Sequence, residues 1–379
     1  MPNMHKQEFD SGTDIKLALY KSYMKAWLPI MCKTGVQTVY IYDLFAGPGK
    51  DAKGNSGSPL ILLDILMKNC PLMHEGNLHA TILFNDKKKR NITQLQNECR
   101  SILEHCKEKN QCNHTCPFNI IFRYNDFTEI FPKITKFITE HNNPFSFIFL
   151  DQYGIKHVNT ENFLRLIPLR RTDILFFSAS ADVWRFRRHP TFKKYIETEN
   201  IPFKTESFPH CHKLLVDYYR SLVPLNLSYK VYLAPFSIKK ESSGMIYGLT
   251  FISHSLLGLE KFVNSTWQID TNTGEANYNI NDDKLIKEGQ PLLFADMVTQ
   301  KLDYYQADLC RFLQGGKTNR EVYEFSLISG IIASKTTDIL RRLEAEKKIE
   351  IRVIGNNTRK KNAYYLNRDS KESIRIYYE

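Results

Sequence analysis

The chain reads as an α/β protein: a doubly wound, mainly parallel sheet followed by a smaller module of helices and a strand pair. Two observations predict the sheet. Apolar runs of strand length alternate with amphipathic helical stretches between residues 39 and 180, the signature of βαβ units joined by right-handed crossovers. Two of these runs, in YIYDLFAGPG (40–49) and FIFLDQYG (147–154), also stop at an aspartate and open into a glycine-bearing turn. The third observation concerns the C-terminal part, where after TNRE (318–321) the apolar spacing becomes that of two short helices and a strand pair.

Taken in order, residues 13–32 place Tyr20, Tyr23, Met24, Trp27, Leu28 and Met31 three or four apart, which is one apolar face of a helix. VYIYDLF is then a strand, SPLILLDILMKNC a helix, HATILFND a strand and KKRNITQLQNECRSILEHC a helix. FNIIFRYND continues as a strand, FPKITKFITEH as a helix, FSFIFLDQYG as a strand, TENFLRLIPL as a helix and DILFFSAS as a strand. Beyond residue 180 a helical stretch falls near 210–223, and YKVYLAPF and MIYGLTFISHS extend the sheet at an antiparallel edge. The expected division is an N-terminal helical cap (1–36), the sheet domain (37–290) and a C-terminal domain (291–379).

At 379 residues the chain exceeds one ordinary core, so two domains are expected. Hydrophobic residues at 42% and aromatics at 12% exclude a disordered tail. There are 52 Lys plus Arg against 41 Asp plus Glu, a formal +11, which suits a polyanionic partner such as nucleic acid. No stretch approaches the roughly 20 apolar residues that cross a membrane, and MPNMHKQEFDSG has no signal-peptide core, so a cytoplasmic protein without a membrane partner is expected. The eight cysteines lie in a chain too long to need staples. Within HCKEKNQCNHTC (His105, Cys106, Cys112, His114, Cys116) only Cys112 and Cys116 have the close spacing of a zinc site. The segment therefore reads as a polar loop and no metal is assigned, with zinc the open alternative.

The glycine turn carries the first chemical signal. In open parallel sheets, ligands bind beyond the carboxyl ends of the strands where the strand order reverses. Gly47 and Gly49 let the backbone turn tightly against a ligand, and Asp43 ends the strand with a hydrogen-bond acceptor. GPG is not GxGxxG and GPGKD is not GxxxxGK[ST]; QGGKT (314–318) fails as well, since Arg311 stands where the first glycine belongs. Dinucleotides and nucleoside triphosphates lose ground accordingly. DLFAGPG instead resembles motif I of the S-adenosylmethionine-dependent class I methyltransferases. That resemblance implies cofactor contacts from Asp43, Phe45, Ala46, Gly47 and Gly49. It also implies a carboxylate for the ribose hydroxyls at the second strand end, Asp86, and a polar side chain for the adenine after the third, Asn125 or Asp126.

The fourth strand end, LDQYG, is similar to the D/N-P-P-Y/F motif of amino-methyltransferases, which matches at Asp151 and Tyr153. The likeness implies that Asp151 accepts from a target amine and Tyr153 stacks on a base, while Gln152 contributes only a backbone carbonyl and should tolerate change. The helix KLALYKSYMKAWLPI, DLFAGPG, GSPL (57–60), LDQYG and FFSASADVWRFRRHP together resemble the three-Cys-motif partner (TcmP) proteins over most of the chain. Membership implies a class I methyltransferase-like fold with a C-terminal winged helix, and a partner carrying a three-cysteine iron–sulfur motif. Gln152 replaces the proline usual in that family. Two readings follow: a methyltransferase acting on an exocyclic amine of a nucleic-acid base, or a non-catalytic nucleic-acid-binding subunit of an assembly with the iron–sulfur partner.

The C-terminal segment points to nucleic acid by a separate route. TNRE is a capping box opening a short helix through Phe325, SKTTDILRRLEAEKK is a second helix, and KIEIRVIGNNTRKKNAYYLN is a strand, turn and strand, the order of a winged helix. From Ser334 onward there are 12 Lys plus Arg and seven Asp plus Glu. Lys335, Thr336 and Arg342 are candidates for a groove, and Arg359, Lys360 and Lys361 on the wing for phosphate. WRFRRHPTFKK adds Arg185, Arg187 and Arg188, interleaved with aromatic rings. Sequence does not distinguish DNA from RNA or name the base.

Overall fold

The computed structural model describes residues 9–111, 115–152, 154–284, 299–355 and 358–379. These form two compact units, Met1–Ser255 and Leu256–Glu379. The division falls 35 residues before the expected 290/291 boundary, so the helix Leu256–Ile269 groups with the C-terminal unit.

In the first unit, α1 (Ser11–Lys33) precedes β1 (Thr38–Asp43), α2 (Ser58–Lys68), α3 (Cys70–Glu75), β2 (His79–Asn85), α4 (Lys89–Lys109), β3 (Phe118–Arg123), α5 (Phe127–Glu140) and β4 (Ser146–Leu150). Then come α6 (Thr160–Leu166), β5 (Thr172–Ser178), the short α7 (Ser180–Arg185) and α8 (Pro190–Lys193), α9 (Cys211–Ser221), β6 (Tyr232–Lys239) and β7 (Ile246–Ser253). The strands make one seven-stranded sheet in the order β3-β2-β1-β4-β5-β7-β6. Neighbours from β3 to β5 are parallel, while β7 is antiparallel to both β5 and β6 and so is the one reversed strand. Every residue of β4 is buried, as its uninterrupted apolar run requires for a strand covered on both faces.

The first helix is part of this unit's core rather than a separate cap. Tyr20 packs on Phe149 with ring centroids 4.7 Å apart and Tyr23 on Phe251 at 4.9 Å, so the apolar face read from the sequence lies across β4 and β7. Burying each such ring contributes about 1.5–3 kcal/mol. The helix is fastened at its start and at its middle. Asp10 caps its start by accepting from the Thr13 N–H at 2.8 Å and pairs with Lys240 at 2.7 Å. At its middle, the Tyr23 hydroxyl donates to Asp173 at the start of β5, at 2.7 Å.

The second unit comprises α10 (Leu256–Ile269), α11 (Gln300–Phe312), β8 (Lys317–Thr318), α12 (Asn319–Ile328), α13 (Ala333–Ala345), β9 (Ile349–Val353) and β10 (Ile374–Tyr378). Its sheet has the order β8-β10-β9, antiparallel throughout. The capping box at Thr318 and Glu321 is formed in both directions, but the helix it starts continues past Phe325 to Ile328. The strand expected in NAYYLN is not there. Its place in the sheet is taken by IRIYY (374–378), with Ile374 and Ile376 buried. Residues 363–366 instead pack as irregular chain, with Tyr364 and Leu366 buried and the carbonyls of Tyr365 and Lys371 accepting from the buried Asn319 amide.

Candidate functional site

The site begins where β1 ends. Asp43 is wholly buried; its carboxylate accepts from the Ser58 hydroxyl at 2.6 Å and from the Phe45 N–H at 3.2 Å. Ser58 is the first residue of α2, so GSPL supplies a donor to the acid of DLFAGPG. Burial pushes the Asp43 carboxyl up to about 7; the Ser58 hydroxyl opposes the rise, the charge of Asp151 adds to it, the Phe45 N–H opposes it, and Asp86 adds a smaller push. Because the folded protein holds this proton more tightly than an unfolded chain, Asp43 costs no stability below about pH 4, and its cost grows as pH climbs to about 7.

Both turn glycines need their freedom. Gly47 has φ +64° and Gly49 φ +91°, and a Cβ on Gly49 would lie 2.8 Å from Leu95 Cδ1. The turn is closed by the Gly57 N–H donating to the Gly49 carbonyl at 2.7 Å. A second clasp comes from Asn85 at the end of β2, a residue that sequence reasoning passed over in favour of its neighbour. Its buried amide donates to the carbonyls of Leu44 (3.3 Å) and Asn125 (3.1 Å) and accepts from the Asn125 N–H (3.0 Å), tying the ends of β1, β2 and β3 together.

Beside this turn is a solvent-open cleft, walled by Phe45, Ala46, Pro48, Gly49 and Ser58 on one side, Asp151 at the end of β4, and Phe9, Thr13 and Leu17 from α1 and the residues before it. Thus Phe45, Ala46, Gly49 and Asp151, expected in one site, do meet, with Asp43 bonded to the same wall through Ser58. Asp151 is not alone. Lys16 of α1 donates to its Oδ2 at 2.6 Å, a contact across 135 residues that no local pattern announces. Tyr153, expected to stack on a base, lies outside the described residues, as do Cys112 and His114.

The remaining cofactor candidates lie outside the lining of that cleft. Asp86 accepts from the Lys88 N–H at 2.7 Å and the Asn91 amide at 3.1 Å. Asn125 reaches toward Glu129 at 3.4 Å. Asp126 is the N-cap of α5, accepting from the Thr128 N–H and hydroxyl, and it pairs with Lys87 at 2.6 Å; Lys87 and these Thr128 donors hold its carboxyl well below the usual carboxylate range. Helix capping accounts for Asp126 without a ligand.

Gln152 is a correction. Expected to matter only through its backbone, it is buried, and its side chain accepts from the N–H groups of His157 and Val158, both at 2.9 Å, and donates to the Phe177 carbonyl at 3.2 Å. One side chain thereby folds the loop after β4 and ties it to β5. Gln152→Ala should lower stability by about 2–3 kcal/mol, because it strands two N–H groups and a carbonyl away from water. A thermal melt followed by circular dichroism checks this; a melting temperature equal to wild type would mean that the loop re-pairs its own groups.

The arginine and lysine candidates divide into committed and open ones. Arg359 makes a bidentate pair with Glu344, both bonds 2.7 Å, and donates to the Ala363 carbonyl, so it braces the chain after β9 against α13 rather than facing phosphate. Thr336 is fully buried and bonded to the Tyr305 hydroxyl at 2.8 Å, which removes it as a groove contact. Arg187 donates to the Trp184 carbonyl at 2.6 Å and stacks on that indole. Arg342 bonds Gln306, and Lys335 is half-buried over Trp267 at 5.8 Å. Arg185, Arg188, Lys360 and Lys361 are exposed.

The strand order with β7 alone reversed, and the glycine turn at the β1/β4 switch point, give the first unit a class I methyltransferase-like fold. No family model and no curated protein matches the chain. Among solved structures, it is similar to Trm1 from Pyrococcus horikoshii in complex with S-adenosyl-L-methionine, at 11% identity and TM-score 0.35 over 71% of this chain; the match spans 65% of that protein, less than two thirds of its length. It is similar to Streptococcus pneumoniae Sp1610, a putative tRNA (m1A22) methyltransferase, at 9% identity and TM-score 0.28, over 83% of this chain and 97% of that one. A third likeness is to the delta-N METTL16 MTase domain, at 10% identity and TM-score 0.26, over 63% of this chain and 83% of that one. Among the described residues no helix is long and apolar enough to cross a membrane.

Proposed function

We propose that the first unit binds S-adenosylmethionine and transfers its methyl group to an exocyclic amine of a nucleic-acid base. The observation that carries this reading is the pair of carboxylates, Asp43 and Asp151, at the ends of the two strands flanking the switch point, beside a cleft floored by a left-handed glycine turn. S-adenosylmethionine supplies a methyl group on a sulfonium, whose carbon–sulfur bond breaks with its electrons returning to sulfur.

The residues present fit that ligand. Gly49 brings bare backbone to the cleft, its own packing on Leu95 requiring glycine there, the Phe45 ring offers an apolar wall, and Asp43 lies buried behind that wall on Ser58. On the acceptor side Asp151 lines the cleft with Lys16 on its Oδ2, and its carboxylate would receive an amine N–H. Aligning the amine then supplies most of the rate advantage, and the proton lost from nitrogen passes to Asp151 or to water. The departure at Gln152 does not weigh against chemistry on this reading, because the glutamine has a structural task of its own. Calorimetry of the purified chain with S-adenosylmethionine tests the proposal; no heat of binding at millimolar ligand would remove it.

For the second unit we infer a winged helix that holds nucleic acid, from its helix-strand-helix-helix-strand-strand order and its exposed basic residues. The resemblance to TcmP proteins adds an iron–sulfur partner as a further expectation. Reversing the charge of Lys360 and Lys361 together should weaken binding to labelled RNA or DNA and lower the slope of log affinity against log salt by about 1.5, two phosphate contacts at about 0.7–0.9 each. Arg359 is left intact, since its loss would unpair Glu344. An unchanged slope would make this surface a protein-docking module instead.

A further inference from the structure

The segment WRFRRHPTFKK (184–194) follows the end of β5 and has no part in the chemistry proposed for the cleft. Between Asp182 and Glu197 it carries Arg185, Arg187, Arg188, Lys193 and Lys194 with no Asp or Glu, so its fixed charge is of one sign. Its place is set by the sheet. β5 pairs with β4 in parallel, so the chain leaves β5 at the same edge where Asp151 follows β4. The two exits are joined. The Gln152 amide donates to the Phe177 carbonyl at 3.2 Å, and the Lys16 ammonium, bonded to Asp151, lies 5.0 Å from the centre of the Phe177 ring. α7 starts three residues beyond that ring.

Along the segment some side chains serve the fold and others stand in water. The Trp184 indole N–H donates to the Lys204 carbonyl at 2.9 Å, and its ring meets Phe208 edge-on at 4.9 Å. Arg187 lies over the same indole at 4.7 Å and donates to the Trp184 carbonyl, while its own carbonyl accepts from the buried Thr198 hydroxyl. Arg187 is thereby committed to shaping the loop. Phe186, between these two, is 40% exposed, although it packs on Phe192 with ring centroids 5.1 Å apart. The Arg185 guanidinium is 5.9 Å from the centre of the Phe186 ring. Arg185, Arg188, Lys193 and Lys194 are exposed, Lys193 with Glu199 at 3.6 Å.

A ring in water with a guanidinium beside it meets both needs of a nucleotide: an apolar face for the base and a cation for the phosphate. An acidic peptide would use the cations and leave the ring idle. A duplex would do the same, since its bases are stacked on one another. An unpaired strand uses both, and a base whose amine is to react has to leave a duplex in any case. We propose that the α7–α8 segment seats a nucleotide of single-stranded nucleic acid, its base on Phe186 and its phosphates on Arg185 and Arg188, at the sheet edge that carries Asp151. The inference rests on the reading of the first unit as acting on a nucleic-acid base and deepens it, because the target then comes from an unpaired stretch.

The experiment is fluorescence anisotropy of the full chain with a labelled oligonucleotide about 16 nucleotides long, the upper site size of one strand-binding module, either single-stranded or annealed to its complement. Phe186→Leu keeps an apolar contact for Phe192 without a ring; it should weaken single-strand binding about tenfold, the loss of one base stack, and leave duplex binding unchanged. Phe186→Tyr should match wild type. Arg185→Gln combined with Arg188→Gln should lower the slope of log affinity against log salt by about 1.4, two phosphates at about 0.7 each on a single strand. Repeating these variants in the chain with Lys360 and Lys361 reversed keeps contacts of the second unit from masking the effect, and a melt like that of wild type checks the fold. Single-strand affinity unchanged in Phe186→Leu, or a loss equal on single strand and duplex, would overturn the proposal. So would an unchanged salt slope in the double-glutamine variant, which would point to an acidic protein surface as the occupant. Wild type that binds no nucleic acid would instead overturn the reading of the first unit on which the segment's role rests, a result distinct from binding that these variants leave untouched.

Discussion

Asp151→Asn should reduce methyl transfer at least about 100-fold, the lower end of what a positioned proton acceptor contributes, while S-adenosylmethionine affinity stays within about tenfold of wild type. The asparagine carbonyl can still accept from Lys16, so the loop after β4 keeps its attachment to α1. What is lost, on the proposed reading, is the charge that would draw in an amine N–H and receive its proton. Asparagine is the better probe than alanine here. Truncation to alanine would leave the Lys16 ammonium enclosed without a counter-ion, at a cost of about 3–5 kcal/mol for a fully buried pair and less for one with Asp151 25% exposed, and would confuse stability with chemistry. Transfer from labelled cofactor to mixed RNA and DNA pools measures the effect. Full activity in the Asp151→Asn variant would refute the role proposed for the carboxylate.

Gly47→Val should abolish cofactor binding and leave a cooperative thermal melt. Gly47 is buried with φ +64°, and a β-branched residue held in that left-handed conformation costs about 1–3 kcal/mol. That is a fraction of the stability of an ordinary domain, about 5–15 kcal/mol. The strain falls on the turn that floors the cleft, between Phe45 and Gly49, so the turn relaxes at the expense of the ligand's seat. Calorimetry reports the binding and circular dichroism the fold. Wild-type affinity in this variant would place the cofactor elsewhere than against the glycine turn.

The two predictions draw on different kinds of legibility. The glycine turn was readable because its requirements are local: an apolar run ending in Asp43, then glycines where the backbone must enter the left-handed region. The alternation of strands and helices was readable for the same reason; β7 falls within the stretch expected at the antiparallel edge, and β6 overlaps its stretch but runs three residues past Phe236. Gln152 was misread because a backbone role was assumed for a polar residue whose three partners, at His157, Val158 and Phe177, are fixed by how the loop returns to the sheet. Arg359 was misread likewise: its sequence neighbours Lys360 and Lys361 suggested a basic wing, whereas Glu344, 15 residues earlier, claims it in space.

Sequence by itself determined the doubly wound architecture, the turn at Gly47 and Gly49, and the two aspartates that end β1 and β4, since each rests on periodicity or on what a residue type permits its own backbone to do. Tertiary structure alone decided which aspartate lies at the cleft: Asp151 lines it, while Asp43 is buried behind its wall on Ser58. It brought Asp43 and Asp151 together through the pairing of β1 with β4, and assigned Asp126 to a helix cap. It also decided that α1 lies across the sheet and sets Lys16 on Asp151. The physical reason is that an ion pair across 135 residues leaves no periodic trace. It exists only because the apolar face of the helix must be buried against β4 and β7, and that burial carries the lysine to the end of the strand.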